Sequence, residues 1–361
     1  MHLKDLGWND YFQAVLHDYK DSDLTIARVS LQQKQFYKVM TPERDYDAVI
    51  AGKLRHEAAS TSDFPVVGDW VLVEFPEQDD KAIIKHVLPR KTKISRDTGS
   101  RKSLKKITDE QVVVANVDLI FLVSALDADL NLRRLERYLA LIWDSGASPV
   151  LVLNKADACE NAEEIVQDVQ EVAMGVPVHV VSAVRAQGID ELKQYLQPGI
   201  TVALLGSSGV GKSTIINKLL GEEKFKIAEI GEYKDKGRHT TTHREMVMLP
   251  DGGILIDNPG MRAVQVWEGD EGISKSFEDI ETYAQNCRFN DCRHVNEPEC
   301  AVIEAVEQGE IPQDRYESYL KLLKEQEYRS RKENWATRQN SKRRWKSISK
   351  SIRRYKDKDF E

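Results

Sequence analysis

Two short loops, each following an apolar run, constrain what this 361-residue chain can fold into. The first, residues 206–213, reads Gly-Ser-Ser-Gly-Val-Gly-Lys-Ser and lies between the strand-like run 201–205 and the helix-like run 215–220. Glycines in such a loop let backbone N–H groups close around phosphate oxygens, and the helix N-terminus adds its positive end. The sequence therefore predicts a strand, a phosphate-binding loop and a helix in succession.

This phosphate-binding loop supplies the first group of candidate site residues. Lys212 can reach the β and γ phosphates of a nucleotide, and the Ser213 hydroxyl can ligate Mg²⁺. The other members of the loop offer backbone amides and small side chains, and they are Gly206, Ser207, Ser208, Gly209, Val210, Gly211 and Thr214. The pattern alone does not separate GTP from ATP.

The second loop has the form of a guanine-recognition loop, Asn154-Lys155-Ala156-Asp157. It closes the apolar run 149–153, so it would lie at the carboxyl end of a strand, where ligands bind in open α/β sheets. Asp157 could accept hydrogen bonds from guanine N1–H and the exocyclic amine, a donor pair that adenine lacks. Asn154 and Lys155 would tie the loop and cover the ring.

The order of these loops indicates a rearranged domain. Residues 154–157 precede the phosphate-binding loop by about fifty residues, whereas ordinary small GTPases have the phosphate loop first. Ser182-Ala183 follows a third apolar run, and at this position it resembles the GTPase loop whose backbone contacts guanine O6. A circularly permuted GTPase domain accounts for all three loops and their order.

Residues on the γ-phosphate side complete the predicted nucleotide site. Asp257 ends an apolar run and would hold a Mg²⁺-bound water, and the Gly260 amide would sense the γ phosphate. One threonine of residues 237–242 should complete the Mg²⁺ shell, and we favour Thr241; the alternative is that these threonines simply open a strand.

The motifs lack the residue that would orient the attacking water for hydrolysis. Met261 follows Gly260, at the position where a Ras-like enzyme has the glutamine that orients the attacking water. We therefore expect slow intrinsic hydrolysis, with a partner or another group positioning the water. His239 is the candidate, and the alternative is a solvated loop histidine.

The regions on either side of this domain predict two further domains. Five short β segments suggest a small barrel of the OB-fold type. The segments are residues 24–29, 36–39, 47–54, 70–75 and 82–88. The alternative is a β domain without a ligand of its own. The predicted fold is a multidomain α/β protein. We divide it into an OB-fold with an N-terminal lead-in (1–96), a linker or mobile loop (97–112), a largely parallel GTPase domain (113–272) and a helical zinc-binding domain with a basic tail (273–361).

Three cysteines crowd into fourteen residues of the last domain. Cys287, Cys292, His294 and Cys300 offer three sulfurs and one imidazole, a tetrahedral set that suits one structural Zn²⁺. The alternative is a group of unrelated thiols beside a surface histidine. Cys159 stands apart and is interpreted as a bystander.

The C-terminal tail is strongly basic, although the whole chain has a formal net charge of −7. Residues 329–358 hold thirteen basic and two acidic side chains, with apolar residues near one helical face. Such a segment suits RNA, because cations meet phosphates and aromatic rings stack on bases. The alternative is a charged helix whose apolar stripe packs on its own protein.

The motifs NKAD, SA, GSSGVGKST, GRHTTT and DNPG, followed by Cys-x4-Cys-x-His-x5-Cys, together resemble the RsgA (YjeQ/CpgA) family over most of the chain. One departure is Asn258, where many members have threonine. The resemblance implies a GTPase that binds the small (30S) ribosomal subunit and its rRNA, assists late maturation of that subunit, and hydrolyses GTP to GDP with Mg²⁺. We expect a cytosolic monomer without a membrane partner. A GTP-regulated protein acting on another RNA and a P-loop kinase or ATPase remain as alternatives.

Overall fold

The structure is a computed structural model, and it describes nine stretches of the chain. These are residues 1–19, 24–33, 36–58, 60–76, 80–97, 110–127, 130–225, 244–257 and 270–327. The chain divides into two compact units. The first comprises residues 1–98 and 109–276, and the second comprises residues 99–108 and 277–361.

A closed five-stranded barrel opens the first unit. Its strands are β1 Thr25–Gln33, β2 Phe36–Met40, β3 Asp45–Ile50, β4 Trp70–Glu74 and β5 Ala82–Val87. They follow the order β1-β2-β3-β5-β4, and β1 pairs with β4 to close the ring. All pairs are antiparallel except β3 with β5. The predicted OB-like barrel is confirmed.

The third barrel segment is shorter than predicted. The strand ends at Ile50, and helix α2 (Gly52–Glu57) occupies the rest of the expected 47–54 segment. Pairing with β5 stops where Ile50 meets Ile84, and the Ala51 N–H then donates to the Ile84 carbonyl. Leu54 still packs against the barrel core, but from a helix. An apolar residue at this spacing therefore could not distinguish strand from helix.

The N-terminal lead-in covers one end of the barrel. It consists of a 3-10 helix (Leu3–Leu6) and helix α1 (Asp10–Leu16). The Asn9 side chain caps α1 by accepting from the Tyr11 N–H, which satisfies one orphan donor of the helix. Trp8 packs edge-on against Trp70 of β4, with ring centroids 4.8 Å apart.

Two strands lie at the edges of the expected linker. Strand β6 (Lys93–Asp97) pairs antiparallel with β7 (Glu110–Ala115) in a separate two-stranded sheet. Residues 97 and 110–112 are therefore strand residues, and residues 98–109 lie outside the described part of the chain. The run from Val112 to Val114 is buried.

The second half of the first unit is a parallel sheet covered on both faces. Its strands are β8 Leu119–Ala125, β9 Ser148–Asn154, β10 Val178–Val180, β11 Thr201–Leu205, β12 Arg244–Met248 and β13 Ile254–Asp257. They lie in the order β10-β9-β8-β11-β13-β12, and β12 runs antiparallel to β13. The helices are α3 Leu132–Asp144, α4 Ala162–Val172, α5 Ile189–Leu192, α6 Lys212–Leu220 and α7 Asp270–Ser276.

Strand β9 illustrates why these apolar runs have no polar alternation. Its successive side chains enter opposite core clusters, Leu151 and Leu153 on one face and Val150 and Val152 on the other. Every residue of β9 after Ser148 is buried, as expected for a strand covered by helices on both faces, so the predicted doubly covered sheet is confirmed.

The second unit is helical in its described part. It contains α8 (Glu278–Ala284), α9 (Ala301–Glu307) and a helical stretch over residues 313–327 that follows Pro312 directly. Arg315 is almost fully buried and donates to both carboxylate oxygens of Asp279, at 2.6 and 2.7 Å. This bidentate pair joins the last helical stretch to α8. Among the residues that the structure describes, no helix combines the length and apolar character needed to cross a bilayer.

Candidate nucleotide-binding site and metal centre

Three loops meet at the carboxyl ends of the parallel strands. Residues 206–211 follow β11, residues 154–157 include the end of β9, and Ser182-Ala183 follows β10. Strand β8 lies between β9 and β11 and is parallel to both. The loops therefore emerge from the same edge of the sheet, although they are well separated in sequence.

Asn154 joins the three loops through one side chain. Its amide nitrogen donates to the Val210 carbonyl at 2.8 Å, and its amide oxygen accepts from the Ala183 N–H at 3.0 Å. The side chain is 3% exposed, so these contacts satisfy a buried amide. A Cβ atom on Gly211 would lie 2.1 Å from the Asn154 amide nitrogen, and Gly211 also has φ +99°. Only glycine fits at that position.

Asp157 is exposed, and a hydrogen bond orients its carboxylate. Its carboxylate accepts from the Ser182 hydroxyl at 2.6 Å. That hydrogen bond lowers the pKa of Asp157 below its usual value, so the group is an ionised acceptor at neutral pH. The Ala156 N–H donates to the Val181 carbonyl at 3.2 Å, which fixes the backbone between the two loops.

Lys155 has a partner that the sequence pattern did not indicate. Its backbone is left-handed, with φ +67°, and its ammonium lies 3.0 Å from a carboxylate oxygen of Asp127. Asp127 follows β8, and the Leu126 N–H donates to the Asn154 carbonyl. An acidic residue within a few positions of the predicted strand 119–123 is the signal that could have identified this pair.

The phosphate-binding loop folds around its lysine. The Lys212 ammonium donates to the carbonyls of Gly206 and Ser207, at 2.9 and 2.7 Å. Burial lowers the pKa of Lys212 to about 8, and the charge of Asp257 acts in the opposite direction. A Cβ atom on Gly206 would lie 2.1 Å from the Val123 carbonyl oxygen, so this glycine is needed for close approach to β8. Ser213 and Thr214 lie in the first turn of α6.

Asp257 ends β13 and is 4% exposed. In the antiparallel pairing with β12 it lies opposite Glu245. The remaining predicted γ-phosphate residues, Thr241, Gly260 and His239, lie outside the described residues, as does the basic tail.

The cysteines and histidine of the second unit form one group, as predicted. The Sγ atoms of Cys287, Cys292 and Cys300 and one ring nitrogen of His294 all lie within 4.8 Å of one another. Cys287 Sγ lies 3.8 Å from Cys300 Sγ, and His294 Nδ1 lies 3.5 and 3.4 Å from these two sulfurs. Tetrahedral bonds of about 2.3 Å to sulfur and about 2.0 Å to nitrogen give ligand separations of about 3.8 and about 3.5 Å. This Cys₃His group could therefore bind a metal.

Neighbouring groups hold the metal-binding loop in shape. The Glu297 carboxylate accepts from the backbone N–H groups of Arg293, Val295 and Asn296, at 3.1, 2.8 and 3.0 Å. These bonds lower the pKa of Glu297 to about 2. His294 adopts φ +57°, and its carbonyl accepts from the Tyr316 hydroxyl. The loop is thus organised on both sides of the histidine.

Comparison with known proteins identifies the family. The sequence model described as RsgA GTPase matches residues 87–267. The small ribosomal subunit biogenesis GTPase RsgA of Methanosarcina acetivorans is 43% identical over 351 residues, which cover 97% of this chain and 92% of the relative. The chain belongs to the RsgA GTPase family. A relative of the same name from Syntrophotalea carbinolica is 40% identical over 360 residues, covering 99% and 98%.

Solved structures agree with this assignment. YjeQ from Thermotoga maritima has a TM-score of 0.62 and 28% identity, over 84% of this chain and 98% of that chain. YloQ, described as a circularly permuted GTPase, has a TM-score of 0.57 over 86% and 98% of the two chains, and its 21% identity supports the fold alone. A second sequence model, described as ABC transporter, matches residues 189–350, which include the phosphate-binding loop. The predicted circularly permuted GTPase is confirmed.

Proposed function

We propose that this GTPase assists maturation of the small ribosomal subunit, binds that subunit through its rRNA, and hydrolyses GTP faster when bound to it. The observation that carries the nucleotide part is the Asn154 side chain, which holds the guanine and phosphate loops together. The ribosomal part rests on the relatives, whose names describe small-subunit biogenesis.

Guanine would be selected by an acceptor that is already in place. The ionised Asp157 carboxylate has no proton to donate, so it suits the two N–H donors of guanine and leaves adenine poorly paired. Asn154 and Ser182 hold the loops that flank the base, with Lys155, Ala156 and Ala183 between them. Adenine nucleotides should therefore bind much more weakly than guanine nucleotides.

Phosphate binding and hydrolysis would use the ends of β11 and β13. The Lys212 ammonium would exchange its two carbonyl partners for β and γ phosphate oxygens, while the amides of residues 206–214 surround the phosphates. Mg²⁺, bound with GTP, would stabilise the charge on the phosphates. Ser213, Thr241 and a water on Asp257 would hold it. The Gly260 amide would sense the γ phosphate, and His239 would position the attacking water.

We propose Zn²⁺ as the metal of the Cys₃His group. Four protein ligands fill a tetrahedral shell and leave no open position, so the role is structural. Mixed sulfur and imidazole ligands favour Zn²⁺ over hard cations such as Mg²⁺. The OB-like barrel (1–96) and the zinc domain (273–361) with its basic tail would contact rRNA. Residues 97–112 would link the barrel to the GTPase domain (113–272). We further propose that the protein acts as a cytoplasmic monomer.

Nucleotide hydrolysis with and without purified small ribosomal subunits tests this proposal. Small subunits should raise GTP turnover well above the intrinsic rate, and large subunits or unrelated structured RNA should not. Stimulation by unrelated RNA alone would favour a GTP-regulated protein acting on another complex. Equal competition by ATP would favour a P-loop ATPase instead.

A further inference from the structure

We propose that the barrel is part of the catalytic unit, because its strand β1 positions Asp257 through β12. This inference rests on the proposed GTPase function and adds positioning residues to it. Strands β1, β12 and β13 lie side by side in one eleven-stranded sheet. Leu31 of β1 lies opposite Glu245 of β12, and Glu245 lies opposite Asp257 of β13. The three residues form one row across the strands.

The pairing covers what would otherwise be a sheet edge. Without β1, the outer side of β12 would present unpaired N–H and C=O groups, a template for a strand from another chain. Here the chain's own barrel provides that strand, with Gln32 also opposite Arg244. A slip of one residue in such pairing turns every side chain to the other face of the sheet. Pairing with β1 therefore helps to fix the register that places Asp257 at the nucleotide site.

Side chains beside the row strengthen the contact between β1 and β12. One guanidinium nitrogen of Arg244 lies 3.4 Å from the side-chain oxygen of Gln32. Further along β12, Met248 packs against the core cluster that contains Trp70 and Leu72 of the barrel. Strand β12 is thus held to the barrel by backbone pairing, a polar contact and apolar packing.

The loop before β4 brings a second part of the barrel close to β13. Gly68, in the loop before β4, donates its N–H to the Val29 carbonyl at 2.9 Å. A Cβ atom on Gly68 would lie 3.4 Å from Ile256 Cδ1 and 2.0 Å from the Ala115 carbonyl oxygen. Glycine is required here by the approach to the Ala115 carbonyl, and the same loop of the barrel lies beside Ile256, the residue directly before Asp257.

Arg28 connects the barrel to β11, the strand that leads to the phosphate-binding loop. It is 1% exposed and donates to the Thr201 hydroxyl at 2.9 Å and to the Asn116 carbonyl at 2.8 Å. Burial lowers the pKa of Arg28 to about 10, so it remains a cation at neutral pH. Thr201 begins β11, and it lies opposite Ile254 at the start of β13. The barrel thus supports β11, which leads into the phosphate-binding loop, and β13, which ends at Asp257.

The Mg²⁺ requirement of GTP hydrolysis tests this positioning role. In the double variant Gln32→Ala/Arg244→Ala, a loosened β12 should misplace Asp257. The Mg²⁺ concentration for half-maximal hydrolysis should then rise about threefold to tenfold. GDP affinity measured without Mg²⁺ should stay within twofold, which a general loss of structure would not allow. Lys85→Ala, a barrel variant at the Glu74 pair on β4 and β5, is the matched control and should behave as wild type.

A reversible crosslink keeps the test decisive if the double variant does not fold. Directly opposed residues of antiparallel strands lie close enough for a disulfide, so Leu31→Cys/Glu245→Cys can join β1 to β12. The oxidised protein should hydrolyse GTP with the Mg²⁺ requirement of its own reduced form. Loss of hydrolysis on oxidation, restored by reduction, would overturn the inference, as would a wild-type Mg²⁺ requirement in the folded double variant. If wild-type protein hydrolyses no GTP, the proposed function fails instead.

Discussion

The Asn154 side-chain amide donates to the Val210 carbonyl at 2.8 Å and so joins the guanine loop to the phosphate loop. The Ala183 N–H donates to the oxygen of the same amide. Both contacts are buried and are made by the protein alone. These contacts restrict the three loops relative to one another, which lowers the entropy cost of ordering them when nucleotide binds.

Asn154→Ala should weaken GTP and GDP binding alike. The substitution leaves the Val210 carbonyl and the Ala183 N–H without this partner, and each loss costs about 1–3 kcal/mol. We expect dissociation constants about tenfold to a hundredfold higher, measured with a fluorescent guanine nucleotide. Asn161→Ala is the matched control, because Asn161 makes no side-chain cap bond to α4. Equal affinities in the two variants would contradict the role of Asn154.

Asp157→Asn should change which base is bound. An amide presents an N–H donor as well as an acceptor, so guanine loses one of its two pairings while xanthine, with a carbonyl in place of the amine, gains one. GTP affinity should fall at least tenfold, and XTP should compete better than GTP. Asp190→Asn, at an exposed pair with Lys193, should leave both affinities unchanged. Continued preference for GTP in Asp157→Asn would show that Asp157 does not face the base.

Nucleotide affinity should fall as pH rises through the pKa of Lys212, about 8. Phosphates favour the protonated ammonium, so wild-type affinity should decline from pH 7 to pH 9, whereas Lys212→Arg should show a flat profile because arginine stays charged. The stability effect has the opposite sign. The folded-state pKa lies below the unfolded value of 10.5, so burial of the cation costs stability below pH 8 and the cost is relieved as pH rises toward 10.5. A wild-type affinity independent of pH would contradict the assignment.

Removing one metal ligand should destabilise the second unit. Cys300→Ser should lower bound zinc from one ion per chain and reduce the temperature of metal-dependent unfolding, because metal binding contributes folding free energy. Cys159→Ser is the matched control, since Cys159 lies in the first unit, outside the ligand group. Zinc content and thermal unfolding measure both effects. Full zinc content in Cys300→Ser would exclude this ligand set.

Local sequence patterns predicted the features that depend only on whether each residue is buried or exposed. Alternation around Ile26 and Val39 and the uninterrupted run at β9 predicted the barrel and the doubly covered sheet. The pairing of Leu31 with Glu245 could not be predicted, because these residues are far apart in sequence and neither run shows which strand will lie beside it. The helix at Leu54 was missed because one apolar residue fits both periods.

Some residues of the candidate site could likewise be predicted from the sequence, and others could not. Glycines at 206 and 211 and the carboxylate at 157 are required by chemistry at fixed spacing, so the motif predicted them. Asp127 and Val210 contribute through a side chain or a carbonyl that the motif leaves open. Arg28 is a further example, because its role depends on Thr201 and Asn116, which only the fold brings to it.

Turnover of GTP with purified small ribosomal subunits tests the central claim most directly. Hydrolysis should be measured for wild-type protein alone, with small subunits, and with large subunits, each with and without excess ATP as competitor. We predict slow turnover alone, strong stimulation by small subunits only, and no inhibition by ATP. The same turnover under all three conditions, or inhibition by ATP in proportion to its excess, would contradict a guanine-specific GTPase of the small subunit.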